Sequence, residues 1–591
     1  MAFSEDCYYV IWQHKFMTMR TSLTVLLCLI LCLELIAQSG VITIDEDYSD
    51  WDSNYTTFTD GVDVSGGLDL LEVQVTNDED YLFIKLTADS DFDLTDDLVD
   101  HELWMIIDAD NDPSTGYFEQ DGYGSELSLN FLDHSAWFNV PSTSVQVSYG
   151  DIGFVSAPTV TSNTFEIAIP RAIKPNGVHS LFSSDTIRIL FDDRINDDQM
   201  PDDGEVFQYV FDDSPTDSLV PLNLAKLDSS DVRVTTYNLH LNSGWQGASN
   251  LLNVQTVIQA LDADVYAFQE SSGSSAALVK NFMNLWIPLS TSNGWYAKKQ
   301  GDLITCSRWP FLEQWGLTRN LATLIDLPSS YPHDAIVFNA HLSCCANDDG
   351  RQEQVDELVE FLLDITSQSG IDTIPDSTGI IITGDMNFVG YAQQITTMLT
   401  GDIQNTSTYG SGGPLDWDST ALSDAVPLHA DQRMSHTWRD RDGDGYPPGR
   451  LDFQVFSDAV LNLEQGFVLD TEAMSPSRLN EYDLDELDTY WASDHLPVTV
   501  DYSFIPVVGT TITQNDVPAP HIYPNPSSNS VRFMSSEMVT SALAMDLFGN
   551  LVRVLAVKEN VIQLDNLAAG IYLLDVTAGS HRFFEKVIVI R

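Results

Sequence analysis

The sequence is poor in positively charged residues. Its 591 residues include 26 lysines and arginines against 88 aspartates and glutamates, which gives a formal net charge of −62. That charge repels polyanions at long range and leaves no general basic surface for binding nucleic acid. Salt weakens the repulsion, because the Debye length is about 8 Å at physiological ionic strength. The composition therefore favours a saline or divalent-rich environment outside the cell. It does not exclude a nuclease, since only the local cleft must accept phosphate.

Cysteine is also scarce, and its spacing argues against a common kind of metal site. The six cysteines contain no Cys-x-x-Cys pair, which disfavours a structural zinc site. Three lie within the first 40 residues, and the others are Cys306, Cys344 and Cys345. If the first 40 residues are removed on export, three cysteines remain. An odd number of cysteines in an exported chain leaves at least one thiol free or linked to another molecule. The sequence leaves open whether Cys344 pairs with Cys345 or Cys306 pairs with either.

Only one apolar run approaches the length of a membrane span, and it lies near the N-terminus. Leu23–Leu35 is interrupted only by a threonine and a glutamate, and it follows the basic segment Met17–Arg20. The run is too short to cross a bilayer, so it predicts a secretory signal peptide over residues 1–38 and no transmembrane span. The polar residues before it indicate a true start at Met17 or Met19.

Residues 41–215 contain short apolar runs between turn residues and almost no helical periodicity, as in Leu71–Thr76 and Thr164–Ile169. Such a pattern predicts a β-sandwich. The segments Ile42–Trp51 and Ile106–Gly116 resemble the sandwich modules that are often fused to secreted bacterial hydrolases. Some of those modules bind carbohydrate, so the resemblance implies a binding module with a possible carbohydrate ligand.

Three aspartates in this module have the spacing of a calcium-binding loop. Asp108, Asp110 and Asp112 alternate along the chain, but no glutamate follows where an EF-hand loop needs one. The pattern predicts a structural Ca²⁺ site or, alternatively, an aspartate-rich turn.

Four apolar strand-like runs further along the chain end in side chains suited to handling a metal or a proton. These runs are Val232–Asn238, Asp264–Glu270, Ala335–His341 and Gly379–Asn387. Two more runs begin with such residues, one with Asp452 and one with Asp494 and His495. If all these side chains meet, the first four strands run toward the meeting point and the last two run away. This predicts mixed sheets with one polar edge.

Helical periodicity in Leu251–Leu261 and Gln352–Leu363 alternates with these strands, which predicts layered sheets with helices outside. Six short motifs follow one another in this region. They are Tyr237-Asn238, Gln269-Glu270, Asn339-Ala340-His341, Gly384-Asp385-Met386-Asn387, Arg450-Leu451-Asp452 and Ser493-Asp494-His495. Their order resembles the endonuclease/exonuclease/phosphatase superfamily, which has a DNase I-like fold. The resemblance implies a central four-layer α/β sandwich over residues 228–504 and Mg²⁺-dependent phosphoester hydrolysis.

The resemblance also implies a metal site built from hard oxygen ligands. Glu270 is the expected first ligand, with Asn238 and Asp494 adjoining the metal. Carboxylate and amide oxygens select Mg²⁺ or Mn²⁺. His240 stands where some relatives carry an acidic metal ligand, which leaves open whether one or two metals bind.

Five residues are expected to perform the chemistry. By the same resemblance, Asp385 orients or deprotonates the attacking water, and Asn387 holds Asp385 or the phosphate. His495, polarised by Asp452, is placed to protonate or to stabilise charge. His341 matches a second histidine of the DNase I branch and can act as a general acid.

Several arginines are candidates for substrate binding. Arg308 either faces phosphate or forms a surface salt bridge. Arg439 and Arg441 belong to a cluster with Arg433 and Arg450, beside Trp438 and Tyr446, which predicts a locally basic lip of the cleft.

These features together predict a phosphodiesterase or nuclease acting on extracellular nucleic acid. The alternatives are a sphingomyelinase-like enzyme, an inositol or sugar phosphatase, and a non-catalytic surface-binding protein.

The end of the chain resembles an export signal of another kind. After a linker at residues 505–520 come Tyr523–Pro526, Met545–Asn550 and the basic, β-branched Lys586–Arg591. These segments resemble the C-terminal sorting domain of type IX secretion cargo, a small β-sandwich, here over residues 521–591. The resemblance implies the type IX machinery as a partner and a secreted or outer-surface location. An ordinary accessory sandwich is the alternative.

Overall fold

The computed structural model describes residues 41–505 and 521–590, except 52–53, 65, 96–100, 121, 142, 217, 242–244, 246–249, 368–372, 442, 444, 535–537, 547–550 and 580. The predicted signal peptide and nearly all of the predicted linker therefore lie outside the described residues. The chain divides into two compact units, Met1–Pro506 and Val507–Arg591.

Two antiparallel sheets form the N-terminal part of the first unit. The smaller sheet contains, in spatial order, Thr56–Thr59, Leu70–Asn77, Tyr81–Phe92, Ser162–Pro170 and Val155–Ala157. The larger sheet contains, in spatial order, Asp198–Met200, Thr186–Asp193, Leu103–Asp108, Leu127–Asn130, Ser135–Val140 and Thr143–Val147, with Gln208–Val210 also paired to Thr186–Asp193. A ribbon of Tyr117–Phe118 and Gly124–Ser125, a 3-10 turn at Tyr48–Asp50 and a short helix at Tyr149–Ile152 complete this part. Side chains from both sheets, among them Val73, Ile84, Met105 and Ile107, share one hydrophobic core.

Two six-stranded mixed sheets, named sheet A and sheet B here, form the central part of the first unit. Sheet A contains, in spatial order, Tyr296–Gln300, Leu303–Ser307, Val265–Gln269, Val232–Asn238, Val498–Phe504 and Leu461–Val468. Sheet B contains, in spatial order, Phe311–Leu317, Asn320–Ile325, Ala335–His341, Gly379–Asp385, Asp452–Phe456 and Ser423–Asp424. One core cluster takes side chains from both sheets, including Val234 and Val500 of sheet A and Val337 and Ile381 of sheet B. The two sheets therefore pack against each other.

The central helices cover the other faces of these sheets. They are Leu251–Leu261, Ala276–Trp286, Asp348–Thr366, Gln393–Thr400, Thr406–Tyr409, Pro476–Glu481 and Asp488–Ala492, with a 3-10 turn at Thr471–Ala473. On sheet A, Val254 and Val257 of the first helix pack with Tyr266 and Phe268. On sheet B, the apolar side of Asp348–Thr366 packs in a separate cluster with strand residues such as Phe338 and Ile380. Strands covered on both faces read as continuous apolar runs, which explains their sequences.

Strand direction gathers the polar strand ends at one edge of each sheet. In sheet A, Val232–Asn238 is parallel to Val265–Gln269 and antiparallel to Val498–Phe504. In sheet B, Ala335–His341 is parallel to Gly379–Asp385, which is antiparallel to Asp452–Phe456. The C-terminal ends of four strands and the N-terminal ends of two others thus meet, as the sequence predicts.

The N-terminal part lies directly against the central part of the first unit. Ile44 pairs with the segment Arg433–Ser435 through two backbone hydrogen bonds of 3.0 Å. Glu46 forms a salt bridge of 3.2 Å with Arg450, whose guanidinium also contacts Asp424 at 2.9 Å. These contacts stand two residues from Asp452, so the N-terminal part supports the start of that strand.

The second unit has a small core of its own. One of its four-stranded sheets contains, in spatial order, His521–Tyr523, Ser530–Met534, Val561–Gln563 and Val557–Lys558. The other contains, in spatial order, Leu551–Leu555, Val539–Met545, Gly570–Ala578 and His581–Val589. Buried residues from both sheets, such as Val531, Ala542, Ile562 and Leu574, pack in one cluster.

Two observations bear on predictions made from cysteine and apolar content. In the described part of the chain, no helix has the length and apolar character needed to cross a membrane. Cys306 is buried in the sheet A core. Cys344 and Cys345 are exposed, and their Sγ atoms lie 2.7 Å apart. Of the pairings that the sequence left open, this geometry favours Cys344 with Cys345.

Candidate active site

Three neighbouring strands of sheet B place a histidine and two aspartates side by side. In the strand register His341 stands opposite Asp385, and Asp385 stands opposite Asp452. All three side chains are buried. Gly384 permits this arrangement, because its φ is +141° and a Cβ atom there would stand 2.0 Å from the carbonyl oxygen of Ala340.

Sheet A contributes an amide to the same place. The Asn238 Nδ2 atom donates a 2.9 Å hydrogen bond to Asp385 Oδ2 and lies 3.3 Å from Glu270 Oε1. Asn238 thus connects the two sheets at their polar edge. These contacts bring together predicted residues from three strand ends, Asn238, Glu270 and Asp385.

His495 is fixed by a buried carboxylate. Its Nδ1 atom donates to Asp452 Oδ2 at 2.7 Å, which leaves Nε2 facing Asp385 Oδ2 at 3.7 Å. Burial alone would lower the pKa of His495, but the negative charges of Asp452 and Asp385 outweigh burial and raise it to about 10. The imidazole is therefore held in its cationic form at neutral pH.

His341 has the same construction on the opposite side of Asp385. Its Nδ1 atom donates to Asp302 Oδ2 at 2.5 Å, and its Nε2 atom lies 3.6 Å from Asp385 Oδ2. Burial opposes protonation, yet the hydrogen bond to Asp302 and the charge of Asp385 raise the pKa of His341 above its usual value. Two carboxylate-backed histidines therefore face one oxygen of Asp385.

Asn387 supports Asp385 through its backbone. The Asn387 N–H donates to Asp385 Oδ1 at 3.1 Å, while the side-chain Nδ2 atom donates to the Leu342 carbonyl at 3.1 Å. Its φ of 49° lies in the left-handed region, which asparagine tolerates better than most residues. Of the two roles expected for Asn387, the geometry supports holding Asp385.

The other two expected metal ligands, Glu270 and Asp494, lie near Asn238. Glu270 is partly exposed, and its Oε2 atom accepts from the Leu241 N–H. Asp494 accepts from His240 Nδ1 at 3.0 Å and from Trp438 Nε1 at 3.3 Å. Burial would raise the pKa of Asp494, but the hydrogen bond from His240 and nearby imidazole charge hold it below its usual range.

Glu270 and Asp494 offer carboxylate oxygens of the kind that Mg²⁺ and Mn²⁺ prefer. The Asn238 Oδ1 atom accepts from the His240 N–H at 3.1 Å, so the amide would have to turn for its oxygen to join them. Ser493 connects the backbone of Asn238 to Asp494, because its hydroxyl donates to the Asn238 backbone carbonyl at 2.8 Å and lies 3.2 Å from Asp494 Oδ1. His240 contacts Asp494, so it stands beside the site rather than away from it.

The structure does not bring Arg308 to this site, contrary to the first of the two sequence interpretations. Arg308 follows the strand Leu303–Ser307, whose last residue pairs with Val265 at the opposite end of sheet A. Its guanidinium contacts Asp262 at 2.5 Å and Asp264 at 3.3 Å. The salt-bridge alternative describes this arginine correctly.

The predicted basic lip is largely neutralised by carboxylates. Arg439 contacts Asp470 at 3.3 Å and also pairs with Glu472. Arg450 is buried between Glu46 and Asp424. Arg441 stacks on aromatic rings instead, with its guanidinium carbon 4.5 Å from the ring centre of Tyr490.

Asp302 and Thr437 contact the site without having been singled out in the sequence, and Trp438 was named only as a neighbour of the arginine cluster. Asp302 lies in a short turn between two strands, where an aspartate is ordinary, so no local pattern marks it. Thr437 donates to Asp452 Oδ2 at 2.8 Å, and Trp438 donates to Asp494. Both lie inside the arginine cluster, between Arg433 and Arg439, and this position is the signal that could have found them.

In the N-terminal part, the acidic groups that come together are not the three aspartates of the predicted calcium loop. Asp108, Asp110 and Glu126 each offer an oxygen, and these atoms lie within 4.8 Å of one another. Asp112 instead accepts hydrogen bonds from the backbone and hydroxyl of Ser114, at 3.0 and 2.6 Å. Glu126 lies between the strands Gly124–Ser125 and Leu127–Asn130, so spacing along the Asp108–Asp112 loop could not indicate it.

Two family models match parts of the chain. Residues 235–495 match the Endonuclease/Exonuclease/phosphatase family, and residues 521–590 match the Secretion system C-terminal sorting domain. Both resemblances drawn from the motifs are confirmed. The central region thus has the DNase I-like fold of a superfamily of phosphoester hydrolases. The sorting domain indicates type IX secretion, so the protein is secreted or attached to the cell surface. No curated protein matches the chain.

Solved structures similar to the central region include proteins from vertebrates and bacteria. The human Nocturnin catalytic domain with bound sulfate anion is 16% identical, with a TM-score of 0.29 and coverage of 48% of this chain and 97% of that one. D. rerio TDP2 complexed with single strand DNA product is 13% identical, with a TM-score of 0.31 and coverage of 46% and 100%. An endonuclease/exonuclease/phosphatase family protein from Leptotrichia buccalis is 14% identical, with a TM-score of 0.29 and coverage of 46% and 100%. TM-scores this low carry no argument for function.

Proposed function

We propose that the central part of this protein is a metal-dependent phosphodiesterase whose favoured substrate is extracellular nucleic acid. The observation that supports this most is the pair of carboxylate-backed histidines, His341 and His495, which face the same oxygen of Asp385 at 3.6 and 3.7 Å. The proposal includes a four-layer α/β sandwich over residues 228–504, supported by the core clusters between and outside sheets A and B.

Each residue of the site has a distinct task in this proposal. Glu270, Asn238 and Asp494 would hold the cation, which when bound neutralises charge on the phosphate. Asp385, supported by the Asn238 side chain, orients the attacking water and accepts its proton.

The two histidines act on the phosphate from opposite sides of Asp385. His495 remains cationic because of Asp452, so its Nε2–H stabilises negative charge that develops on a phosphate oxygen. His341, held by Asp302, donates its Nε2 proton to the leaving oxygen. A phosphodiester has an ester oxygen on each side of its phosphorus, so two acidic side chains suit it. A phosphomonoester has only one ester oxygen and less need of a second acid.

Nucleic acid is favoured over other diesters by an aromatic surface beside the site. Trp491 is 52% exposed, and Arg441 lies over the neighbouring Tyr490. Bases stack on exposed aromatic rings with little sequence preference. Arg439 adjoins this surface, and we propose Arg441 as the main phosphate contact because Arg439 is already paired with acids. A carbohydrate ligand for residues 41–215 stays a prediction.

A substrate panel with three active-site variants tests the proposal. We expect the purified protein to cleave plasmid and oligonucleotide in Mg²⁺ or Mn²⁺ and to lose activity in EDTA. Glu270→Gln, Asp385→Asn and His495→Ala should each lower kcat by about 10²–10⁴-fold, as loss of a catalytic acid or base does. His179→Ala, an exposed histidine of the N-terminal part, is the matched control and should retain full activity.

The other outcomes separate the alternatives. If the protein cleaves sphingomyelin or an inositol phosphate but leaves nucleic acid intact, it is a phosphoester hydrolase and the nuclease proposal is wrong. Near-normal rates in any two of the three variants would reject the site assignment. No turnover of any phosphoester by folded protein would favour a non-catalytic binding protein.

A further inference from the structure

A second group of potential metal ligands lies in the central part, built from residues that have no role in the proposed chemistry. His429, His436 and Asp470 are all buried, and one ligand atom from each lies within 4.8 Å of the others. The two imidazole rings are 4.2 Å apart between centres. His429 and His436 belong to the segment between the strands Ser423–Asp424 and Asp452–Phe456 of sheet B, and Asp470 follows a strand of sheet A.

The tautomer of His429 is set for metal binding. Its Nε2 atom lies 2.7 Å from the carbonyl oxygen of His436, and a ring nitrogen facing a carbonyl must carry the proton. The lone pair is therefore on Nδ1, which lies 4.0 Å from Asp470 Oδ2. Metal-binding histidines commonly donate their second N–H to a backbone carbonyl in this way.

The facing nitrogen atoms lack hydrogen bonds. The Nδ1 atoms of His429 and His436 are both buried without a hydrogen-bond partner among the described residues. Burial lowers the pKa of both imidazoles, so both are neutral and keep a lone pair. A buried polar atom without a partner is costly, and a cation bound between the rings would remove that cost.

Two neighbours offer competing explanations. Arg439 pairs with Asp470 and brings a positive charge near the rings, but Glu472 shares that arginine. The Gln432 side chain also contributes to the pKa of His429, so it is the alternative partner for Nδ1. Neither neighbour supplies a partner for His436.

We propose that His429, His436 and Asp470 bind a first-row transition-metal ion of the Zn²⁺ class. Two imidazole nitrogens and one carboxylate oxygen suit Zn²⁺, and they differ from the all-oxygen set proposed for catalysis. The proposal does not depend on the proposed function, since the two sites share no residue.

The ion would anchor the segment that supports the active site. Thr437 and Trp438 directly follow His436, and they donate to Asp452 and Asp494 respectively. Met434 pairs with Ile44 of the N-terminal part. The ion therefore acts as a positioning element that joins this segment to the strand before Asp470.

Cobalt binding tests the site without relying on activity. Co²⁺ in a site with nitrogen ligands gives visible absorption, so metal-stripped Glu270→Gln protein, in which the proposed catalytic site is weakened, should develop a band with one equivalent of Co²⁺ in excess Mg²⁺. Adding Zn²⁺ should abolish the band. His436→Gln and Asp470→Asn in the same background should each weaken Co²⁺ binding by more than about tenfold, since even an outer-shell partner is worth 10–100-fold at metal sites.

Two controls make the result specific. Gln432→Leu should bind Co²⁺ as well as the parent protein, and so should His179→Gln on the exposed surface. Absence of a band, or a His436→Gln protein that binds Co²⁺ as well as the parent, would overturn the proposal. If both ligand variants fail to fold, the parent protein decides alone: we expect Zn²⁺ to raise its melting temperature in excess Mg²⁺, and no rise would reject the site.

Discussion

At the scale of single residues, the active site depends on carboxylates that never touch the substrate in the proposed mechanism. Asp452 and Asp302 each hold the Nδ1–H of a histidine, and each thereby leaves a protonated Nε2 atom facing Asp385. Such partners orient the ring and select its tautomer. The two histidines are therefore held in the same way, although His341 ends a strand of sheet B and His495 precedes a strand of sheet A.

Asp302→Asn tests the less obvious of these partners. Removing the carboxylate removes a cause of the raised pKa of His341, so the pKa should fall and the protonated acid should be lost at lower pH. We expect kcat to drop by about tenfold or more, which is less than the roughly 10²–10⁴-fold that complete loss of a general acid costs, because His341 itself remains. The alkaline limb of the kcat–pH profile should move to lower pH.

The control for this variant is Asp326→Asn, at an exposed position on the end of a sheet B strand. It should leave both kcat and the pH profile unchanged. A normal alkaline limb in Asp302→Asn would show that Asp302 is only a structural partner of His341.

At the scale of elements, the sequence predicts the strands themselves better than it predicts the contacts that distant residues make with them. The apolar runs ending in Asn238, His341 and Asp385 predict strands that the structure contains, because strands covered on both faces need continuous apolar sequence. The helix Leu251–Leu261 has the predicted bounds, whereas the predicted Gln352–Leu363 is only the inner part of Asp348–Thr366, whose first turn is polar.

Contacts between distant elements could not be predicted from spacing. Glu126 reaches the Asp108 loop from a position between two other strands, and Asp302 reaches His341 from another turn. Both depend on strand register, which a single sequence does not reveal. Likewise, Arg308 and Arg450 are ordinary surface cations by composition, and only the fold shows that acids surround them.

One strand of the N-terminal part should make stability depend on pH. Glu166 in Ser162–Pro170 accepts from Trp51 Nε1 at 3.1 Å and from the Asp45 N–H at 3.2 Å. Burial, with the charge of Asp50, raises its pKa from 4.5 to about 8. The folded state then binds more protons than the unfolded state between these values, so stability falls as pH rises from about 4.5 to about 8.

Glu166→Gln should flatten this dependence. Glutamine has no proton to lose. As pH rises over this range, the free energy of unfolding of the variant should therefore fall by about 1–3 kcal/mol less than that of the parent protein. Thermal unfolding followed by circular dichroism between pH 5 and pH 8 measures the difference. Glu313→Gln, at an exposed position, should follow the parent curve, and a parallel curve for Glu166→Gln would contradict the assignment.

At the scale of the whole molecule, the net charge of −62 must be reconciled with the polyanionic substrate that we propose. The structure adds little positive charge at the site, since Arg439 and Arg450 are paired with acids. Binding of nucleic acid should therefore depend on the bound cation and on stacking near Trp491 more than on arginine contacts. An acidic protein of this kind suits the outside of the cell, where salt screens its charge.

The export route gives the last prediction. Residues 521–590 match a sorting domain and have their own hydrophobic core within the second compact unit, so their removal should leave the core of the first unit complete. We expect the mature protein in the culture medium to begin near Gln38 and to end before Tyr523, and to keep full activity. Intact-mass and terminal-peptide mapping measure both ends, and deletion of residues 521–591 should keep the protein inside the cell. A soluble secreted form that retains Arg591 would argue that these residues are an accessory module and not a cleaved sorting signal.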